Sequence, residues 1–101
     1  MLELYRAKSS LKIGILKEST IRENRVALVP ASVSNLVARG HKIIIEAGAG
    51  TKAHYTDFDY SEAGALITED RKTVFDCGII LKVAPPTHEE LQCFHPNQVL
   101  I

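Results

Sequence analysis

Two cations in this chain stand where a small anionic substrate could be gripped. Lys82 ends the most continuous apolar run, Gly78-Ile79-Ile80-Leu81-Lys82-Val83, and Pro85-Pro86 follows directly. In an open α/β sheet, ligands bind in the crevice outside the carboxyl ends of the strands. A lysine at such an end can pair with a carboxylate or polarise a carbonyl oxygen. It can equally run its stem along the strand and leave its ammonium in water. Arg25 closes a charged loop and opens Arg25-Val26-Ala27-Leu28-Val29-Pro30. Its planar guanidinium suits a carboxylate through two parallel hydrogen bonds. Position alone favours the plainer alternative, a surface pair with Glu18 or Glu23 that contributes little to stability.

A third candidate is Gly48-Ala49-Gly50-Thr51-Lys52-Ala53, which matches G-x-G-x-x-A after a strand. That pattern lets a pyrophosphate approach a helix N-terminus, but it needs an apolar-periodic helix directly after it. Lys52 to Asp57 offers none, so a glycine-rich turn leaving a strand is the preferred reading, with no cofactor site here. His41, His54, His88 and His95 are scattered, and none is spaced as a metal pair. His41 follows a helix-ending glycine, where it can satisfy last-turn carbonyls. Cys77 and Cys93 match neither a zinc pattern nor a disulfide framework, and Cys77 reads as a small buried residue. A reduced, cytoplasmic compartment follows.

These side chains need elements to carry them. Leu11 to Leu16 reads as a short strand with a polar edge at Lys12, and Lys17 to Asn24 as a charged loop. Pro30 suits the first turn of a helix whose apolar face is Val33, Leu36 and Val37, ended by Gly40. His41 to Glu46, with three isoleucines in a row, reads as a strand buried on both faces. A helix from Asp57 to Gly64 is expected behind Thr56 or Asp57 as cap, then a minor strand or loop at Leu66-Ile67. Thr68 is expected to cap a helix from Glu69 to about Phe75. Gly78 to Val83 is the strongest strand. Thr87-His88-Glu89-Glu90 fits the capping box of a helix through Phe94. Phe94-His95-Pro96-Asn97 then turns the chain into a strand at Gln98-Val99-Leu100-Ile101, which the sequence leaves unfinished.

Strands alternating with helices predict an α/β fold of three layers, flavodoxin-like or Rossmann-like. Its sheet is mostly parallel, with helices on both faces. Strands near residues 12–16, 42–46 and 79–83 are expected to be parallel and adjacent. An apolar run with no breaker is an unusual terminus, so an N-terminal piece of a larger protein, truncated at its C-terminus, is expected. Met1 to Ser10 reads as a polar arm. Twelve basic and twelve acidic residues cancel, so no global field points to nucleic acid or an anionic membrane. No apolar run approaches the roughly 20 residues of a membrane helix.

The run Ile13-Gly14-Ile15, Lys17-Glu18, Glu23-Asn24-Arg25-Val26-Ala27-Leu28-Val29-Pro30 resembles the opening of the alanine dehydrogenase and pyridine nucleotide transhydrogenase family. So do Gly40-His41, Glu46-Ala47-Gly48-Ala49-Gly50, Ala63-Gly64-Ala65 and Ile80-Leu81-Lys82-Val83, in family order along nearly the whole chain. The resemblance implies that residues 1–101 are the N-terminal segment of a substrate domain. The Rossmann domain that binds NAD, and the true glycine fingerprint, would lie beyond Ile101. It implies a homo-oligomeric NAD-dependent L-alanine dehydrogenase acting on a small 2-oxo acid and amino acid.

Carried over residue by residue, Arg25 resembles the arginine that binds the pyruvate carboxylate. Lys82 resembles the lysine beside the substrate keto or amino carbon, both catalytic and substrate-binding, with Glu18 and Glu23 as supporting acids. The family's catalytic histidine would follow the strand that begins at Gln98. The chain departs from the Lys-Val-Lys-Glu-Pro common in alanine dehydrogenases, reading Lys82-Val83-Ala84-Pro85-Pro86. A transhydrogenase α subunit, a saccharopine-dehydrogenase-like enzyme and a non-catalytic binding module are the alternatives.

Overall fold

The computed structural model describes residues 11–18, 23–96 and 98–101. The expected polar arm Met1 to Ser10, the middle of the charged loop and Asn97 of the last turn lie outside them. Five strands, β1 (Lys12–Ile15), β2 (Lys42–Glu46), β3 (Leu66–Thr68), β4 (Ile79–Leu81) and β5 (Val99–Leu100), form one sheet in the order β3-β2-β1-β4-β5. Every pairing is parallel. The three expected strands are therefore parallel neighbours, with β1 in the middle. Leu66-Ile67 belongs to an edge strand. This order is the Rossmann one rather than the flavodoxin one, and it reverses direction between β1 and β4.

Among the described residues four α-helices alternate with the strands: α1 (Pro30–Ala38), α2 (Asp57–Glu62), α3 (Arg71–Phe75) and α4 (His88–Leu91). Period-two side chains divide the core into two layers. Ile13, Ile15, Ile43 and Ile45 meet Val33 of α1 and Tyr60 of α2 on one face. Leu16, Ile44 and Ile80 meet Val74, Phe75 and Cys77 on the other. Each fully buried isoleucine contributes about 1.5–3 kcal/mol, so the sheet centre carries most of the stability. Gly14 lies on the second face because a Cβ there would stand 2.6 Å from the Val74 carbonyl oxygen, and helix α3 packs directly on β1.

The local signals set most boundaries. Pro30 starts α1, and Gly40, at φ +92°, closes it with His41 N–H donating to Leu36 O at 3.1 Å. Thr56 and Thr87 each form a reciprocal capping box, the first with Asp59 and the second with Glu90. Two expectations need correcting. Thr68 does not cap α3, because it is the last residue of β3 and its hydroxyl accepts from Asp70 N–H. Asp70 caps the helix instead, accepting from Lys72 N–H. Helix α4 ends at Leu91 rather than Phe94. Pro96 disfavours helix at His95, and Phe94 turns back to meet Phe75 edge-on at 5.3 Å.

Candidate functional site

The reversal of strand order puts the carboxyl ends of β1 and β4 side by side, where an open α/β sheet offers its crevice. Glu18 follows β1 and Lys82 follows β4. Lys82 Nζ donates to Glu18 Oε1 at 2.8 Å, with only 1% and 3% of the two side chains exposed. Lys82 therefore does not reach for water. Glu18 also accepts from Val83 N–H at 2.9 Å and Ala84 N–H at 3.2 Å, so one carboxylate ties the two strand ends together. Burying an ion pair costs several kcal/mol per ion in lost hydration, and only such full hydrogen bonding offsets it.

Glu90 belongs to the same cluster, although the sequence marked it only as a capping residue. Its Oε1 accepts from Thr87 N–H at 2.9 Å and lies 3.6 Å from Lys82 Nζ, a charge contact beyond hydrogen-bond length. Its Oε2 accepts from Arg71 Nη2 at 2.8 Å. Burial pushes the Glu90 carboxyl up, but Thr87 N–H, Arg71 and Lys82 outweigh it and hold the group below the usual carboxylate range. Arg71 Nε also donates to Glu46 Oε1 at 3.0 Å, and that oxygen accepts from Lys17 N–H at 2.8 Å. A line of alternating charge, Glu46, Arg71, Glu90, Lys82, Glu18, thus crosses the carboxyl edge of the sheet. Only the long-range pairing reveals it; the available signal was the second oxygen that a capping glutamate leaves unused.

Arg25 pairs with Glu23 and not with Glu18. Its Nε and Nη2 donate to the two Glu23 oxygens at 2.9 Å each, and its backbone N–H to Oε2 at 3.0 Å. The Arg25 side chain is 76% exposed. These hydrogen bonds, with a smaller contribution from the Lys82 charge, lower the Glu23 carboxyl to about 2. Glu18 in turn adds to the field that raises the Arg25 guanidinium, after Glu23 itself. Each cation thus lies within electrostatic reach of the other's acid, at one end of the sheet. Because the folded Glu23 value, about 2, lies below the ordinary 4.5, the fork contributes fully above about pH 4.5. It is lost as pH falls through about 2. A carbon-13 titration of the Glu23 carboxyl should follow this, and a midpoint near the ordinary value would show that the fork does not form.

The glycine loop is bonded and, at Gly50, closely packed by its own chain. Gly48, at φ +79°, has Lys17 Nζ 3.5 Å from where a Cβ would sit, and its N–H donates to Asp57 Oδ1 at 2.8 Å. A Cβ on Gly50 would stand 2.5 Å from the Tyr60 ring. Only a single 3-10 turn, Thr51–Ala53, follows. Tyr60 is itself fixed by donating to Leu28 O at 2.8 Å, and burial pushes its hydroxyl up to about 12. The Gly48 N–H that a pyrophosphate would use is already bonded to Asp57, and only that one turn follows directly. Titration with NADH should show no micromolar binding here. Gly50→Ala should destabilise by about 1–3 kcal/mol in urea unfolding, as overpacking does. Micromolar binding abolished by Gly48→Val would overturn this.

Among the described residues, none of the four histidines hydrogen-bonds Lys82, Glu18 or Glu90. His41 Nδ1 accepts from Leu11 N–H at 3.0 Å, and His95 Nε2 contacts Asp76 at 2.9 Å. Cys77 is buried and Cys93 exposed, both as free thiols. Among the described residues no helix is long and apolar enough to cross a membrane, and no His, Cys, Asp and Glu side chains group to hold a metal ion.

A family model described as alanine dehydrogenase/PNT, N-terminal domain, matches residues 14–101. An alanine dehydrogenase of Staphylococcus saprophyticus is 42% identical over 88 residues, 87% of this chain and 24% of its own length. One of Bacillus subtilis is likewise 42% identical over 88 residues, 87% of this chain and 23% of its own. A solved L-alanine dehydrogenase superposes with a TM-score of 0.86 at 37% identity, over 89% of this chain and 25% of that one. A transhydrogenase from Sinorhizobium meliloti superposes with a TM-score of 0.83 at 32% identity, over 88% and 26%. The chain thus spans about a quarter of the length of these relatives.

Proposed function

The chain belongs to the alanine dehydrogenase/PNT N-terminal domain family, and from that premise we propose that it forms the N-terminal segment of the substrate domain of an NAD-dependent L-alanine dehydrogenase. The complete protein interconverts L-alanine with pyruvate and ammonia. NAD supplies the redox chemistry and is held by a Rossmann domain outside these residues. The reading is carried by one observation, a buried lysine fixed at the sheet's switch point by a fully bonded carboxylate.

Lys82 presents a positive charge where a 2-oxo acid's carbonyl oxygen would gather negative charge, and a pre-fixed cation stabilises it without reorganising. Arg25 takes the substrate carboxylate. Its fork now holds Glu23, so a substrate carboxylate displaces that acid or shares the guanidinium with it. Glu18 and Glu23 balance the two cations when no substrate is bound. The free thiols suit a reducing, cytoplasmic compartment. The homo-oligomeric state rests on the family resemblance alone.

Alanine-dependent NADH formation by the full-length protein tests the reading. Arg25→Ala should raise the KM for pyruvate about 10–100-fold with kcat little changed, the loss expected for charge-assisted hydrogen bonds to a bound anion. The superposition with a transhydrogenase, and Ala84-Pro85 in place of Lys-Glu, favour a transhydrogenase α subunit as the second reading. Hydride exchange between nucleotides with no response to alanine would select it.

A further inference from the structure

We infer that Tyr60 is a positioning residue for Arg25: with the glycine turn seating its ring, it fixes the backbone that carries the arginine. The inference rests on the reading of Arg25 above for its meaning in turnover, but its proteolytic test does not. Residues 23–29, which precede α1, form neither helix nor strand. The fork from Arg25 to Glu23 spans two residues, so it orients the guanidinium without setting where the stretch lies. Tyr60 on α2 supplies that anchor. Its hydroxyl donates to Leu28 O at 2.8 Å, three residues after Arg25. Among the described residues no other hydrogen bond ties 24–28 to another element. Val26, Ala27 and Leu28 add only partial burial against the core cluster that holds the Tyr60 ring.

The ring itself has little freedom. Tyr60 is wholly buried, and Tyr55 meets it edge-on with 6.3 Å between centroids. A Cβ on Gly50 would stand 2.5 Å from its Cε2, so the second glycine of the turn leaves the ring its place. The Thr56–Asp59 capping box fixes the start of the helix that carries it. Burial pushes the hydroxyl up to about 12, so it stays a donor throughout the neutral range. The glycine motif thus has a part other than phosphate binding. It seats the side chain that holds the arginine's stretch. One hydrogen bond is worth about 2–10-fold in an equilibrium. Losing it lowers the binding-competent fraction of the stretch on that scale, and the apparent affinity falls with the fraction.

The test is Tyr60→Phe in the full-length protein, which keeps the ring and removes only the hydroxyl. Trypsin cleaves after arginine, and cleavage of a transiently opened segment follows its open population. Mass spectrometry of the Arg25–Val26 cut should show a rate about 2–10-fold higher, with the cut after Arg71 in α3 unchanged. The KM for pyruvate should rise about 2–10-fold with kcat little changed, and Tyr60→Phe should add nothing once Arg25 is alanine. An unchanged Arg25 cut, or equal acceleration at Arg71, overturns the inference, because the hydroxyl then holds nothing local. So does an unchanged KM in an active protein, or the same rise in KM in the Arg25→Ala background. Gly50→Ala, which crowds the ring, should also speed the Arg25 cut, and an unchanged rate there overturns the part given to the glycine turn. A faster Arg25 cut in a protein without alanine-dependent activity would uphold the tether and reject the functional reading instead.

Discussion

Glu18→Ala is expected to destabilise the domain by about 3–5 kcal/mol, the cost of leaving one partner of a buried ion pair alone. The substitution removes three hydrogen bonds at once, from Lys82 Nζ, Val83 N–H and Ala84 N–H. Among the described residues Lys82 is left with the more distant Glu90 oxygen, 3.6 Å away. Lys82→Ala should cost less stability, because Glu18 keeps both backbone donors. Removing both charges, as in Glu18→Met with Lys82→Met, should recover part of the loss, since an apolar pair of similar volume needs no counter-ion. Urea unfolding of Glu18→Ala, Lys82→Ala and the variant carrying both alanine substitutions gives the coupling directly. Additive losses would mean that the pair does not interact in the folded protein.

The second large effect is on turnover. In the full-length protein, Lys82→Ala should lower kcat for pyruvate reduction by about 100–1,000-fold, the loss typical of removing one preorganised group that stabilises developing oxyanion charge. Arg25→Ala should fall mainly on KM, so the two variants separate polarisation from binding. Steady-state kinetics with pyruvate, ammonia and NADH make the comparison. If Lys82→Ala keeps kcat within a few-fold of the parent, Lys82 has only a structural part, as the partner that lets Glu18 join β1 to β4.

What could be read from the residues and what could not divide along a physical line. The alternating elements, the Pro30 start, the Gly40 stop and both capping boxes rest on neighbours within about one helical turn, and these were legible. The strand neighbours β2-β1-β4 followed from the apolar runs together with the usual parallel connections. Glu90 escaped because its role depends on Lys82 and Arg71, which arrive from other elements. Arg71 escaped wholly: an arginine in a first helical turn has no local feature that says it bridges two acids. The Thr68 cap was misplaced because strand pairing to Glu46 holds that residue in β3, and no local preference records such a partner. Position weighted Arg25 toward a surface pair with Glu18 or Glu23, and Glu23 holds it.

The centrality of β1 has a consequence for the order in which the domain can assemble. Among the described strands β1 is made before the others, and it pairs on one side with β2, where Ile13 meets Ile43. Its other side waits for β4, where Ile13 meets Ile79. The Glu18–Lys82 bond spans 64 positions along the chain, so it closes only after the helices between them have been synthesised. Closing so long a loop costs entropy before any contact returns it. The pair that marks the candidate site therefore forms after the β1–β2 pairing can. Until then the nascent chain carries a half-paired central strand and an acid without its counter-ion, and the switch-point crevice does not yet exist.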